Sequence, residues 1–182
     1  MAKIIRSITS VLFGSWPQAD GTVKPIEWQV LKQEGNKALL CSKNILITRR
    51  FDSKSNVWKN SEIRYWLNNE FLNAAFTEAD KTAILETELP DVVTTDKVFL
   101  PSHEEAKMLF KFDEASAGKK IRREGRSLEA KWWLRSQGYS ADWEAFVIRE
   151  LVYVNKMLNF VKEQFDVCPA LWVNLDSDIF KS

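Results

Sequence analysis

Pro25-Ile26-Glu27-Trp28-Gln29-Val30-Leu31 and Lys37-Ala38-Leu39-Leu40-Cys41-Ser42 decide how this chain begins to fold. In the first run Ile26, Trp28 and Val30 fall on one side and Glu27 and Gln29 on the other, the period-two pattern of a half-buried strand. The second run is apolar from Ala38 to Cys41, and Gln33-Glu34-Gly35-Asn36 turns the chain between them. The pair predicts a hairpin, 26–32 with 37–42. Upstream, residues 4–13 are apolar and β-branched enough for a strand, which Gly14-Ser15-Trp16-Pro17 is expected to end. Asp20-Gly21 marks a tight turn. Downstream, residues 44–48 form a short apolar continuation. At the far end Ala170-Leu171-Trp172-Val173-Asn174-Leu175 reads as a closing strand, with Pro169 suited to its start.

Helix signals occupy the middle. Ser61 caps a helix in which Ile63, Trp66, Leu67 and Phe71 recur at helical spacing. Thr77-Glu78-Ala79-Asp80 opens a short second helix. Residues 97–100 read as a brief strand. Ser102-His103-Glu104-Glu105 is a capping-box pattern, with Ala106, Leu109 and Phe110 on the apolar face that follows. Residues 111–130 are polar and basic, contain Gly118 and Gly125, and are expected to be a mobile loop. Residues 146–154 are apolar and β-branched, and 161–167 alternate loosely. Met157, Leu158, Val161 and Phe165 also sit at helical spacing, so strand or helix character for 147–167 stays open. Strands, then helices, then strands predict a single α+β domain over 1–182, with mixed or antiparallel strands and two to three short helices.

The chain has 182 residues, enough for one domain to bury about 70% of its unfolded surface. Lys+Arg 26 against Asp+Glu 25 leaves +1, which excludes nucleic-acid binding by bulk charge. Hydrophobic content of 45% with 28% charged residues is globular. No apolar run is long enough to span a bilayer. Arg6 interrupts the apolar N-terminus, and no classical signal peptide is read there. The expected location is the cytoplasm, or a virion or surface reached by a non-classical route.

Chemistry-bearing motifs are scarce. Cys41, Cys168 and His103 have no zinc spacing, and no Cys-x-x-Cys occurs. The cysteines read as unreactive small hydrophobes, with a disulfide between them left open. His103 lies in a helix first turn, with no nucleophile elbow and no Gly-rich phosphate loop elsewhere. The chain is therefore expected to be no enzyme and to need neither cofactor nor metal. Lys119, Lys120, Arg122, Arg123 and Arg126 form a basic cluster, diluted by Glu124 and Glu129 and read as a solvated loop. Trp132 and Trp133 are adjacent, so in a strand one can enter the core while the other faces outward as a stacking platform; core packing of the pair is the favoured reading, because Trp is usually well buried. Tyr139, Asp142 and Trp143 around Gly138 and Ser140 suit a recognition loop or an ordinary polar turn.

The order of motifs is informative. Phe13-Gly14-Ser15-Trp16-Pro17-Gln18, the Pro25–Leu31 run, and Ala38–Lys43 precede Ile63-Arg64-Tyr65-Trp66-Leu67-Asn68. Then come Val98-Phe99-Leu100-Pro101-Ser102, Trp132-Trp133-Leu134-Arg135-Ser136 and Pro169-Ala170-Leu171-Trp172-Val173-Asn174-Leu175. This series resembles an uncharacterised bacterial domain family over nearly the whole chain. The C-terminal part is similar to the C-type-lectin-like fold of formylglycine-generating-enzyme relatives, shared by variable proteins of diversity-generating retroelements. The resemblance implies a scaffold that displays a C-terminal set of side chains. The chain departs from the family in having Cys168 before Pro-Ala-Leu-Trp and no glycine from 147 to 167. Adenine-directed change of AAY codons reaches the residues at Tyr139, Asp142, Phe146, Ile148, Arg149, Leu151, Tyr153 and Cys168. It does not reach Trp143, Lys156, Met157, Glu163 or Gln164, which would belong to the scaffold.

The resemblance thus implies a non-enzymatic ligand-binding or display protein that takes a protein or glycan ligand on a surface within 137–168. Its expected contacts are Tyr139, Asp142, Trp143, Phe146, Ile148, Arg149, Leu151, Tyr153 and Asn155. The alternatives are a structural component of a phage or cell surface making a fixed protein contact, and a formylglycine-generating-type oxidase using Cys41 and Cys168.

Overall fold

Turn chemistry and apolar alternation build the first sheet. The computed structural model describes residues 10–18, 20–112, 132–137, 145–148 and 161–181, with backbone alone for 107, 109–112 and 145–148. Strand β2 (Val23–Glu34) pairs antiparallel with β3 (Lys37–Ser42). Gly35 holds φ 58° in the two-residue connection, a conformation glycine adopts at no steric cost. The predicted hairpin is present and longer than read. Its apolar face differs in detail: a bulge between Val30 and Lys32 shifts the register, so Leu31 joins Ile26 and Trp28 in the core while Val30 is half-buried. An extra residue in one strand re-aims every side chain beyond it.

Strand β1 (Ser10–Pro17) pairs with β2 and does not end at Gly14. The register shifts between Leu12 and Ser15, where Gly14 takes φ 65°. A Cβ there would come within 2.5 Å of the Phe76 ring and 2.8 Å of the Ala75 carbonyl, so a bend at glycine carries the strand past a close helix. Residues 4–9 of the expected strand lie outside the described residues. Asp20 completes the next turn by accepting from the Thr22 amide at 2.9 Å.

The helical layer covers this sheet. Helix α1 (Glu62–Trp66) is capped by Ser61, whose hydroxyl accepts from the Arg64 amide. A π-helical turn (Leu67–Phe71) leads into α2 (Leu72–Ala75). Ile63, Trp66, Leu67 and Phe71 are buried as their spacing predicts. Helix α3 (Glu78–Ala83) starts on a Thr77–Asp80 capping box. The Phe13, Trp16 and Trp28 rings meet Phe71 and Phe76 between helix and sheet.

Strand β4 (Ile47–Arg50) opens a second sheet. A small hairpin follows, β5 (Thr87–Leu89) with β6 (Thr94–Asp96). Residues 97–100 form no strand; Phe99 makes one bridge to Ala170. The reason is Asn68, whose side chain accepts from the Lys97 and Val98 amides and donates to the Val98 carbonyl, occupying the groups a partner strand would use. Helix α4 (His103–Phe112) begins on the predicted Ser102–Glu105 capping box and takes up 111–112, the start of the expected loop. The rest of that loop, 113–130, lies outside the described residues.

Three strands complete the second sheet: β7 (Trp132–Gln137), β8 (Ala145–Ile148) and β9 (Gln164–Val167), in the order β4-β9-β7-β8. Strand β10 (Ala170–Asn174) then joins β3, giving a first sheet β1-β2-β3-β10. All pairings are antiparallel except β7 with β9, which meet in parallel at Trp132 and Asp166. A parallel pair needs a crossover, and residues 138–163 supply it. The fold is mixed α+β with mostly antiparallel sheets and few short helices. Residues 164–167 are strand, which decides the open reading at that end; 149–160 lie outside the described residues. Among the described residues no helix is long and apolar enough to cross a membrane.

Candidate functional site

The C-terminal half is positioned by buried polar groups. Arg135 on β7 is 4% exposed, and a buried guanidinium needs a partner for every donor. Nε donates to Asp91 at 3.0 Å, Nη1 to the Leu100 carbonyl at 2.9 Å and Glu105 at 2.5 Å, and Nη2 to Glu105 at 3.0 Å and Asp91 at 3.2 Å. Those carboxylates hold the Arg135 proton more tightly, against the opposing cost of burial. The five donors are saturated, so Arg135 positions β7 against α4 and the β5–β6 turn and has no donor left for a ligand. Asp96, also buried, accepts from Trp58 Nε1 at 3.0 Å, Arg64 Nε at 2.8 Å and the Thr94 hydroxyl at 2.8 Å. Asp52 accepts from the Lys54, Ser55 and Glu62 amides and fixes the entry to α1.

Tryptophans act in the same way. Trp16, Trp28 and Trp133 donate to the carbonyls of Leu46, Phe13 and Arg49 at 3.2, 2.7 and 2.7 Å. Each buries a large apolar surface and ties two distant segments with its one polar atom. Trp132 and Trp133 are both buried, as the core-packing reading of the pair expects and not as an outward stacking platform would require. Strand β7 lies inside its sheet, between β9 and β8. Trp133 packs edge-on against Phe51 and Phe165, with centroids 5.6 and 4.6 Å apart.

Of the expected contact residues, Tyr139, Asp142, Trp143, Arg149, Leu151, Tyr153 and Asn155 lie outside the described residues, as does the basic cluster 119–126. For Phe146 and Ile148 the backbone is described, in β8, with Ile148 in register with Trp132. At the ends of the segment, Gln137 and Gln164 are exposed while residues 165–168 are buried. Cys168 therefore belongs to the core. Cys41 is equally inaccessible, and both are thiols. The His103 amide donates to the Ser136 hydroxyl at 2.9 Å, joining α4 to β7.

One polar cleft stands out among the described residues. It encloses about 290 Å³ and is lined by Thr48, Arg49, Arg50, Glu62 and Gln164. The β4–β9 register sets Arg50 opposite Gln164 and Arg49 opposite Phe165. Arg50 Nε donates to Glu62 at 2.6 Å. The Ser53 hydroxyl and the Arg50 guanidinium hold the Glu62 carboxyl below its usual range. Arg49 lies with its guanidinium 4.6 Å from the centre of the Trp66 ring. No motif announces this cleft, because β4, the start of α1 and β9 contribute to it from distant parts of the chain; the adjacent Arg49 and Arg50 are its only local signal. Among the described residues no three His, Cys, Asp or Glu side chains gather to hold a metal ion.

No curated protein and no solved structure matches the chain. One family model matches the chain. Its pattern covers residues 35–175, from the β2–β3 turn to just past β10, and the chain belongs to this domain-of-unknown-function family, DUF6273.

Proposed function

We propose that this domain is a non-enzymatic ligand-binding or display module on a C-type-lectin-like scaffold, taking a protein or glycan ligand on a surface within residues 137–164. The observation that carries the reading is the contrast between the ends of that segment and its limits. Trp132–Arg135 on one side and residues 165–173 on the other are held in buried strands by the Arg135 network and the Trp133 contacts. Gln137 and Gln164, at its two ends, are exposed, and Val161 between them is buried. A segment anchored in this way tolerates side-chain change without loss of the scaffold. The return of β10 to the N-terminal sheet, with a smaller second sheet carrying the excursion, is the arrangement that favours the lectin-like scaffold. Burial of both thiols favours a non-enzymatic role over the oxidase alternative, since a reactive cysteine needs access.

Aromatic side chains at 139 and 143 supply rigid contact area and Arg149 directional hydrogen bonds. The test is a binding screen against glycans and surface proteins with the Tyr139→Ala/Trp143→Ala variant beside the parent. Binding is expected to vanish while the melting temperature holds. A variant that fails to fold would place both residues in the core and end the assignment. Sequencing the gene across a population adds a second arm: substitutions concentrated at adenines in codons 137–164 make the protein a diversified binder, and a uniform gene removes the display role.

A further inference from the structure

We propose that the cleft between β4, β9 and the start of α1 binds a small molecule carrying one carboxylate among hydroxyl groups, a uronic-acid-type sugar unit, with Arg49 taking the carboxylate. This goes beyond the surface proposed above, because four of the five lining residues lie outside 137–164.

Arg49 carries the argument. Its guanidinium rests over Trp66 at 4.6 Å, a stacked position that lowers the entropy lost when it pairs with an anion. Among the described residues no Asp or Glu forms an ion pair with it, whereas its neighbour Arg50 is tied to Glu62. The planar fork of an arginine without an acidic partner matches a carboxylate in two parallel hydrogen bonds. The rest of the lining sets the ligand's other chemistry. Glu62 accepts only, the Thr48 hydroxyl donates its proton to Asp166 at 3.3 Å and is left to accept, the Gln164 amide donates and accepts, and each suits a hydroxyl group. Glu62 also repels a second negative charge, so the cleft selects against polyanions and against sulfated chains. At about 290 Å³ it lies at the small end of ligand sites, which start at about 300 Å³. That is room for a single sugar ring and not for a long peptide.

The test is an amide and arginine-Nε NMR titration of the full chain at constant ionic strength. The probes are D-glucuronate, D-glucose, acetate and N-acetyl-aspartate amide. D-glucuronate is expected to give saturable shifts at Thr48, Arg50, Gln164 and Arg49 Nε–H. Glucose, lacking the charge, should bind about tenfold more weakly, and so should acetate, lacking the hydroxyls. Arg49→Gln should weaken glucuronate about tenfold, and Arg49→Lys, which keeps the charge and loses the fork, should fall between. If Arg49→Gln does not fold, Arg49→Lys decides. The Tyr139→Ala/Trp143→Ala variant should bind glucuronate as the parent does, so failure of one site is distinguishable from failure of the other. No saturable shift, equal binding by acetate, or tighter binding by N-acetyl-aspartate amide would overturn the assignment; the last result would make the cleft an acidic-peptide site.

Discussion

The two sheets are held in different ways. In the first, β1-β2-β3-β10, register comes from a short turn and from apolar residues buried on both faces of β3; Leu39, Leu40, Ala38 and Cys41 are all buried, and the turn holds a glycine at φ 58°. In the second, β4-β9-β7-β8, position comes from directional groups: Arg135 among Asp91, Glu105 and Leu100, and Trp133 on the Arg49 carbonyl. Even the turns differ. The β5–β6 turn that delivers Asp91 to Arg135 contains Val93 at φ 53° and 76% exposed, nearly the dihedral that Gly35 adopts without strain. The apolar sheet is a shape that many cores could satisfy. The polar sheet is specified by partners that must each be present.

The sharpest way to break this comparison is a double-mutant cycle. Leu40→Ala in the first sheet should cost about 3 kcal/mol through lost transfer energy and a cavity. Arg135→Met in the second should cost about as much, because it strands Glu105 and Asp91 beside an apolar side chain. Adding Glu105→Gln to Arg135→Met should recover about 1 kcal/mol, since the orphaned charge is gone. No second substitution near Leu40 should recover its loss without refilling the cavity. Urea denaturation measures the parent, the single variants Leu40→Ala, Arg135→Met and Glu105→Gln, and the Arg135→Met/Glu105→Gln double variant. Simple additivity at Arg135 and Glu105 would mean that the network is incidental and that both sheets rest on apolar burial.

A smaller effect with opposite sign tests the turns. Val93→Gly should stabilise by about 1 kcal/mol, because relief of a left-handed β-branched residue exceeds the entropy glycine adds to the unfolded chain. For a chain of this size the melting temperature should rise by about 3 °C. Gly35→Val should lower it. A fall in melting temperature for Val93→Gly would show that the valine side chain, not the backbone, fixes the turn.

What was legible in the residues follows the same divide. The hairpin, the Ser61, Thr77 and Ser102 caps and the closing strand were readable because local spacing determines them. The continuation of β1 past Gly14 was not, since it depends on a helix arriving at Phe76. Core packing of Trp132 and Trp133 was readable from residue type, but not its cause, which is β7 lying inside its sheet. Arg135 was visible as part of a motif, but Asp91 and Glu105 gave no sign of being its partners. The cleft was invisible for the same reason: Thr48, Glu62 and Gln164 are ordinary residues until β4 pairs with β9.

The smallest expected effect lies where the second sheet meets α1. The Glu62 carboxyl is held below its usual range by Ser53 and Arg50, so it binds a proton less readily folded than unfolded. Its contribution is present above the ordinary carboxylate value and is lost as pH falls through the depressed folded value. The side chains are half-exposed, and solvent screens the pair, so Glu62→Gln should cost no more than about 0.5 kcal/mol at neutral pH. The same variant should match the parent once acid has protonated Glu62 in both states. Denaturation curves at neutral pH and at strongly acid pH measure the difference. A cost that persists in acid would mean that Glu62 acts through packing or through neutral hydrogen bonds, and this corner of the second sheet would then be held as the first one is.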